Sequence, residues 1–361
     1  MRPPPRRVHQ VLATLSHGDA ISNEALAIQR HLRAAGFESD VFAETTHPRM
    51  SHLARRLGEY REVSGPDTVC LFHLAVGSAA GPLVFEAPDR LVLRYHNITP
   101  AGYFLGLQNH VVGLCYHGRR GLSAFAPRAE LALGVSEFNR RELEQAGFRR
   151  TGVLPIVLDL RAYAAPASRV VRRLYGDGRA NLLFVGRVMP NKRIDDLIRV
   201  FALFQRSVAR MSRLLLVGDL ADCPHYYDRL QQMVADLQVE EVVFTGHVDQ
   251  DELVAYYSIA DAFLCLSEHE GFCVPLQEAM VFGVPVIAYD AGAVRETLKG
   301  AGILLRDKRP EVVAELIGDV LTDGKLRASV LGTQARAVRE IRGTDFGALL
   351  QERLRPVLGA Q

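Results

Sequence analysis

Twice along this chain, short apolar runs rich in β-branched residues alternate with segments whose apolar residues recur at helical spacing. Parallel strands need a helix-length crossover between them, so sustained alternation commits a chain to doubly wound α/β sheets. The first series reads as strands at 8–15, 39–43, 68–74, 90–96, 131–136 and 151–159. Its helices are 22–36, with Ala25, Ile28, Leu32 and Ala35 on one face and Gly36 as the stop, and 137–147. Residues 160–180 show no strand pattern and read as the connection. The second series runs strand 181–187, helix 193–208, strand 213–218, helix 226–237, strand 241–246, helix 251–260, strand 262–267 and strand 285–290. Helices at 311–323 and 347–359 close it. The fold class expected is α/β: two Rossmann-like doubly wound domains, 1–160 and 161–343, facing each other across a cleft. Ligands of such sheets lie beyond the carboxyl ends of the strands, which is where chemistry should be sought.

Bulk properties narrow the function classes. A chain of 361 residues with 48% hydrophobic and 23% charged residues is an ordinary globular one. Its formal net charge of +2 gives no mandate for nucleic acid. The basic residues are 39 arginines against four lysines, which genome base composition explains as well as bidentate anion contacts do. Five cysteines show neither CxxC pairs nor His/Cys metal spacing, and read as buried thiols of a reducing compartment. The start, "MRPPPRRVHQVL", lacks the apolar core of a signal peptide. The longest apolar run, 70–85, is too short for a membrane span and is interrupted by His, Gly and Pro. A cytoplasmic protein is expected. The arginine-rich stretches 47–61 and 116–128 would allow peripheral contact with an anionic membrane surface if clustered; solvated helix faces are the favoured account of them.

Four stretches carry candidate chemistry. In "SEHEGFCVPLQEAMVFGVPVIAYDAG" (267–292), Pro275 suits a first helical position, and Gly283 suits the stop. The amides of Gly271, Phe272, Cys273 and Val274 then precede a helix start and can point at an anion. Glu270 and Glu278 flank them, and carboxylates accept hydrogen bonds from hydroxyls, so a phosphate flanked by hydroxyls fits, as in a sugar nucleotide. A dipole-complementing Glu278 and a loop-capping Glu270 would produce the same letters. In "FVGRVMPNKRIDDLI" (184–198), Gly186 and Arg187 end a strand and Lys192 stands at the next helix start, where a cation is unfavourable to the dipole. Two such cations can clamp a diphosphate. The turn "LSHGDAISNEA" (15–25) offers Gly18 and Asp19 for close backbone approach to phosphate, or else a tight turn capped by Asp19 or Ser22. In "LRYHNITPAGYF" (93–104), His96 sits at the carboxyl end of a strand.

Together these segments resemble the nucleotide-sugar-dependent, retaining glycosyltransferases of family four, which have the GT-B fold. The acid–x7–acid pattern from Glu270 to Glu278, the "FVGR...NKRIDDLI" loop, "SEFNRRELEQAGF" and "YHNITP" carry the resemblance across nearly the whole chain. It implies that Glu270 meets donor-sugar hydroxyls and Glu278 the ribose. Gly271 and Phe272 amides would contact sugar and phosphate, with Cys273 and Val274 beside them. Gly186, Arg187 and Lys192 would hold the diphosphate, His96 would lie near the donor sugar, and Gly18 and Asp19 would line the first loop. Members often carry two or three glycines in that loop, and "HGDA" has one; "LVGDL" (216–220) lacks the usual Gly-Pro. The implied reaction moves a sugar from a UDP- or GDP-sugar to a glycan, lipid-linked or small-molecule hydroxyl with retention, and needs no cofactor. No metal is expected, since the two cations would replace one. The segment 344–361 would pack back on the first domain.

Three rival readings remain. A sugar phosphorylase or sucrose-synthase-like enzyme shares the fold implied. A nicotinamide oxidoreductase shares the sheets but would need a GxGxxG fingerprint that is absent. A catalytically inactive binding protein would keep the fold alone.

Overall fold

A computed structural model describes residues 7–359; residues 1–6 and 360–361, with the start of "MRPPPRRVHQVL" and the outer ends of the ranges 1–160 and 344–361, lie outside the described residues. The chain divides into two compact units. The first comprises 1–102, 109–157 and 344–361, and the second 103–108 and 158–343. The second unit thus begins at Leu158 and also takes in 103–108, a segment that sequence order places in the first half.

The first unit is built on a seven-stranded parallel sheet in the order β3-β2-β1-β4-β5-β6-β7. The strands are β1 Arg7–Leu15, β2 Val41–Thr46, β3 Arg55–Arg56, β4 Thr68–Leu74, β5 Arg90–Tyr95, β6 Ala129–Gly134 and β7 Thr151–Val153. All seven residues of β4 are buried, as expected of a parallel strand covered on both faces. The chain moves outward from β1 to β3 and then returns to pair β4 with β1, Val11 lying opposite Phe72. That reversal makes a topological switch point at the β1/β4 carboxyl ends. The helix Phe346–Leu358 completes this unit, burying Phe346, Leu350, Leu354, Val357 and Leu358 in one cluster with Val8, Ile28, Val69, Val92 and Leu133.

The second unit repeats the plan with six parallel strands, ordered β10-β9-β8-β11-β12-β13. They are β8 Ala180–Val185, β9 Ser212–Val217, β10 Val242–Gly246, β11 Ala262–Cys265, β12 Val286–Tyr289 and β13 Ile303–Leu305. Here β8 and β11 flank the switch point, with Leu182 opposite Ala262. The core gathers Leu183, Leu215, Phe263, Leu276, Val286 and Leu298 with Ile341 from the helix Gly324–Gly343.

The strand expected over 151–159 stops at Val153. Strands β3 and β13 and the helices Asn109–Leu122, Arg169–Tyr175 and Gly324–Gly343 were not foreseen. The stretch 47–61 forms 3-10 turns and a two-residue strand rather than a helix face, and Arg55 pairs with Glu59, Glu62 and Asp40. In 116–128, Arg119 donates to the Ile98 carbonyl and pairs with Glu142, while Arg128 donates to the carbonyls of Ala87 and Asp89. These guanidinium groups are spent on internal contacts. Among the described residues, no helix is long and apolar enough to cross a membrane.

Candidate functional site

In the second unit, two loops leave the carboxyl ends of neighbouring strands β8 and β11 and are sewn together. The amide of Glu268 donates to the Asn191 carbonyl at 2.9 Å, and the Asn191 side chain donates to the His269 carbonyl at 3.2 Å. Lys192, closing the 3-10 turn Pro190–Lys192, reaches across this seam. Its Nζ lies 2.7 Å from Glu270 Oε1 and 2.8 Å from Oε2, and the Glu270 side chain is only 6% exposed. Burial alone would lower the Lys192 pKa, but the adjacent Glu270 carboxylate and its hydrogen bond carry it above the ordinary lysine value. The ammonium is therefore held charged beside its partner.

A ring of ions braces the seam from outside. Arg193 pairs with Asp195, Asp196 and Glu268, and Lys308 pairs with Asp196 and Glu268 while its Nζ stands 4.8 Å from the Tyr289 ring centre. Arg193 sits at φ 52°, a left-handed conformation that turns the chain from the 3-10 turn into the helix Ile194–Ser207. Gly292 supplies a second brace. At φ 56° it lies so close to Glu270 that a Cβ there would fall 2.3 Å from the Glu270 carbonyl oxygen, and the Ala293 amide donates to that same oxygen at 2.9 Å.

Beyond Glu270 the chain enters the helix Val274–Val281, with Pro275 in its first turn and Gly283 just past its end at φ 69°. Cys273 is its N-terminal boundary residue at φ 72°, and no side chain caps the amides there. Glu278 lies on this helix, buried. Tyr257 donates to its Oε2 at 2.6 Å, and the Tyr163 hydroxyl donates to Oε1. Burial drives the Glu278 pKa up against the opposing hydrogen bonds of the two tyrosines. Glu278 is thus a hydroxyl acceptor in fact as well as by its chemistry.

Arg187 behaves differently. It is 57% exposed and pairs with Asp222 rather than with Glu270, although it leaves the same β8 end as Lys192. Gly186 follows β8 with its carbonyl against Gly218, where a Cβ would fall 2.1 Å from the Gly186 oxygen. The structure therefore brings Lys192 and Glu270 into contact and sets Gly271, Phe272, Cys273, Val274 and Glu278 on one loop and helix. It turns the Arg187 side chain to the loop after β9.

In the first unit, Asp19 is the N-cap of the helix Ala20–Ala34, accepting from the Ser22 amide and hydroxyl at 2.9 Å each. The loop is a capped turn, with Gly18 at φ 72° making the turn. His96 follows β5, with its amide bonded to the Leu74 carbonyl at the end of β4. Asn97 behind it takes φ 76° and is pinned by Asn139 and Glu142. His96 is thereby fixed beside the switch point of this sheet.

Among the described residues, two groups of side chains approach metal-ligand spacing. In Glu24, His73 and His96, Glu24 is committed to a buried ion pair with Arg94 and the imidazoles bond each other. In Cys265, Glu270 and Cys273, both Glu270 oxygens are committed to Lys192 and the thiols lie 3.9 Å apart. The lone Asp-x-Asp triplet, Asp249 to Asp251, belongs to a helix start: Asp249 forms a capping box with Glu252. Sequence reasoning missed Tyr163, Tyr257, Gly292 and Lys308. Only Gly292 had a local signal, as a glycine just past a strand end.

Known proteins resemble the chain at two levels. A GDP-mannose-dependent alpha-mannosyltransferase of Mycobacterium tuberculosis is 36% identical over 198 residues, covering 52% of this chain and 48% of that protein. A GDP-mannose-dependent alpha-(1-6)-phosphatidylinositol monomannoside mannosyltransferase of Mycolicibacterium smegmatis is 29% identical over 303 residues, 79% of this chain and 74% of that one. The chain spans about half the length of most curated relatives it matches. In three dimensions, sucrose-phosphate synthase (tll1590) from Thermosynechococcus elongatus superposes with a TM-score of 0.74 at 20% identity, covering 97% of this chain and 98% of that one. Residues 173–337, which contain Arg187, Lys192, Glu270 and Glu278, match the family described as glycosyl transferases group 1, and the chain's two parallel α/β units have the GT-B fold.

Proposed function

We propose that the protein is a retaining hexosyltransferase that moves a sugar from a nucleoside-diphosphate donor to an acceptor hydroxyl without a metal ion. The observation that carries this reading is the Lys192–Glu270 pair at the β8/β11 switch point, set directly before the uncapped amides of the helix Val274–Val281. The hard part of such a reaction is charge accumulating on the departing diphosphate. Lys192, Arg187 and the amides of Gly271 to Val274 would meet that charge, each preorganised donor contributing on the order of 3 kcal/mol. Glu270 and Glu278 would accept from sugar and ribose hydroxyls. Retention is the reading of the acid–x7–acid pattern; the departing phosphate would take the acceptor's proton on the same face. The mannosyltransferase relatives favour GDP-mannose as the donor to try first, with UDP-sugars second.

Thermal shift with GDP and UDP, followed by turnover of GDP-mannose and UDP-glucose, tests this. A nucleoside diphosphate should raise Tm, turnover should survive chelation of divalent ions, and proton NMR of the product should show the donor's anomeric configuration. Arg187→Ala should keep its Tm, because its side chain is more than half exposed, yet lose about a hundredfold in kcat. Lys192→Ala should lose as much activity and also about 3 kcal/mol of stability, since it leaves the Glu270 carboxylate buried alone. Wild-type rates in both variants would remove the diphosphate assignment.

A further inference from the structure

His96 ends a chain of three hydrogen-bonded side chains inside the first unit, and the direction of every bond in that chain is determined. Gln10, on β1, donates its Nε2 to the Ala25 carbonyl at 2.8 Å. A carbonyl accepts only, so the amide nitrogen must face Ala25 and the amide oxygen must face the other way, toward His73 Nε2 at 2.9 Å. An amide oxygen has no proton to give, so His73 Nε2 carries the hydrogen. His73 is buried, and burial together with the Arg94 charge lowers its pKa to about 3, so it is neutral and its Nδ1 is bare. His73 Nδ1 lies 2.9 Å from His96 Nε2 and must accept from it. Glu24 Oε2, at 3.6 Å from the same His96 nitrogen, also favours a hydrogen there.

The remaining nitrogen, His96 Nδ1, has no hydrogen-bond partner although the side chain is only 2% exposed. Burial, then His73, then Arg94 hold His96 well below its ordinary pKa, so this atom is a bare lone pair and not an imidazolium N–H. A buried acceptor without a donor costs free energy, and such atoms mark places where a partner arrives. The lone pair repels phosphate oxygens and welcomes a hydroxyl.

We propose that His73, backed by Gln10, is a positioning residue that locks His96 in the Nε2–H tautomer so that its Nδ1 lone pair receives a substrate hydroxyl. This rests on the sugar-transfer reading above for the identity of the hydroxyl, but not for the tautomer. The relay excludes an acidic role for His96: the side chain enters the reaction neutral and accepts.

Nitrogen-15 NMR of histidine-labelled wild-type protein tests the lock without any variant. His96 should show a protonated Nε2 and an unprotonated Nδ1, unchanged between pH 5 and 8; an Nδ1–H tautomer or a titration in that range overturns the proposal. For the second half, His73→Leu removes the acceptor and His73→Asn restores one near the same position. His73→Leu should mix the His96 tautomers and lower kcat/KM for the full substrate about tenfold. His73→Asn should recover most of it. Across a panel of monodeoxy substrates, the one lacking the partnered hydroxyl should be insensitive to His73→Leu. Equal sensitivity of every substrate means that His73 acts on stability alone and overturns the positioning role. If no nucleotide sugar is turned over at all, the functional reading has failed, and the wild-type spectrum still decides the tautomer.

Discussion

Glu278 is a carboxyl group whose burial works against its own charge. Its folded pKa lies above the ordinary value of 4.5, so ionisation is harder in the native state than in the unfolded chain. The contribution of this group to stability is therefore complete below about pH 4.5 and is lost as pH rises through the raised native value. Glu278→Gln escapes that loss, and its Tm relative to wild type should climb between pH 4 and pH 8; a constant difference would show that the carboxyl is not strained by ionisation. Gly292→Ala should do the reverse, costing about 2 kcal/mol or more in urea unfolding, because a left-handed alanine there also drives its Cβ into the Glu270 carbonyl. At this scale, the residues legible from sequence were those whose neighbours along the chain define them. Glu270, Lys192 and Glu278 sit at strand ends and helix starts that periodicity locates. Tyr163 and Tyr257 were not legible, since their partner Glu278 lies 115 and 21 residues away and tyrosines at those spacings look like ordinary core. Arg187 was legible as a cation but not as Asp222's partner, for the same reason.

Elements were readable where burial is uniform. Strands β1, β4, β8 and β9 are mostly apolar and buried along most of their length, and their placement followed from that pattern in the sequence. Strand β3 is two arginines, which carry no period-two signal, and only its neighbour β2 makes it a strand. The helix Gly324–Gly343 escaped because much of its length is polar, and its docking depends on Gln334. That side chain accepts from the Val286 amide at 2.9 Å and donates to the Val284 carbonyl at 2.8 Å, acting as a surrogate strand neighbour for the entry to β12. Gln334→Leu should cost about 1–3 kcal/mol in chemical denaturation by orphaning both backbone groups. A neutral result would mean that water substitutes for the amide.

For the molecule as a whole, two doubly wound parallel sheets were legible from alternation, their strand orders were not, and the run-back of the last helix entered only through the family resemblance. The helix Phe346–Leu358 buries five apolar side chains in the first unit's core, each contributing about 1.5–3 kcal/mol. That sum rivals the net stability of a domain. A chain ending at Gly343 should therefore lose hydrogen-exchange protection in β4, β5 and β6 while β8, β9 and β11 stay protected; retained protection in β6 would show that the helix is an ornament.

Because that helix is the last element described, the ribosome releases the parts of the two units out of order. Residues 158–343 emerge as an uninterrupted block and hold everything their own sheet requires. The earlier-made strands must wait, with part of one sheet face still uncovered, until some 190 further residues have been added. Nascent chains stalled before residue 346 would therefore present a folded later half and an exposed, chaperone-attracting earlier one.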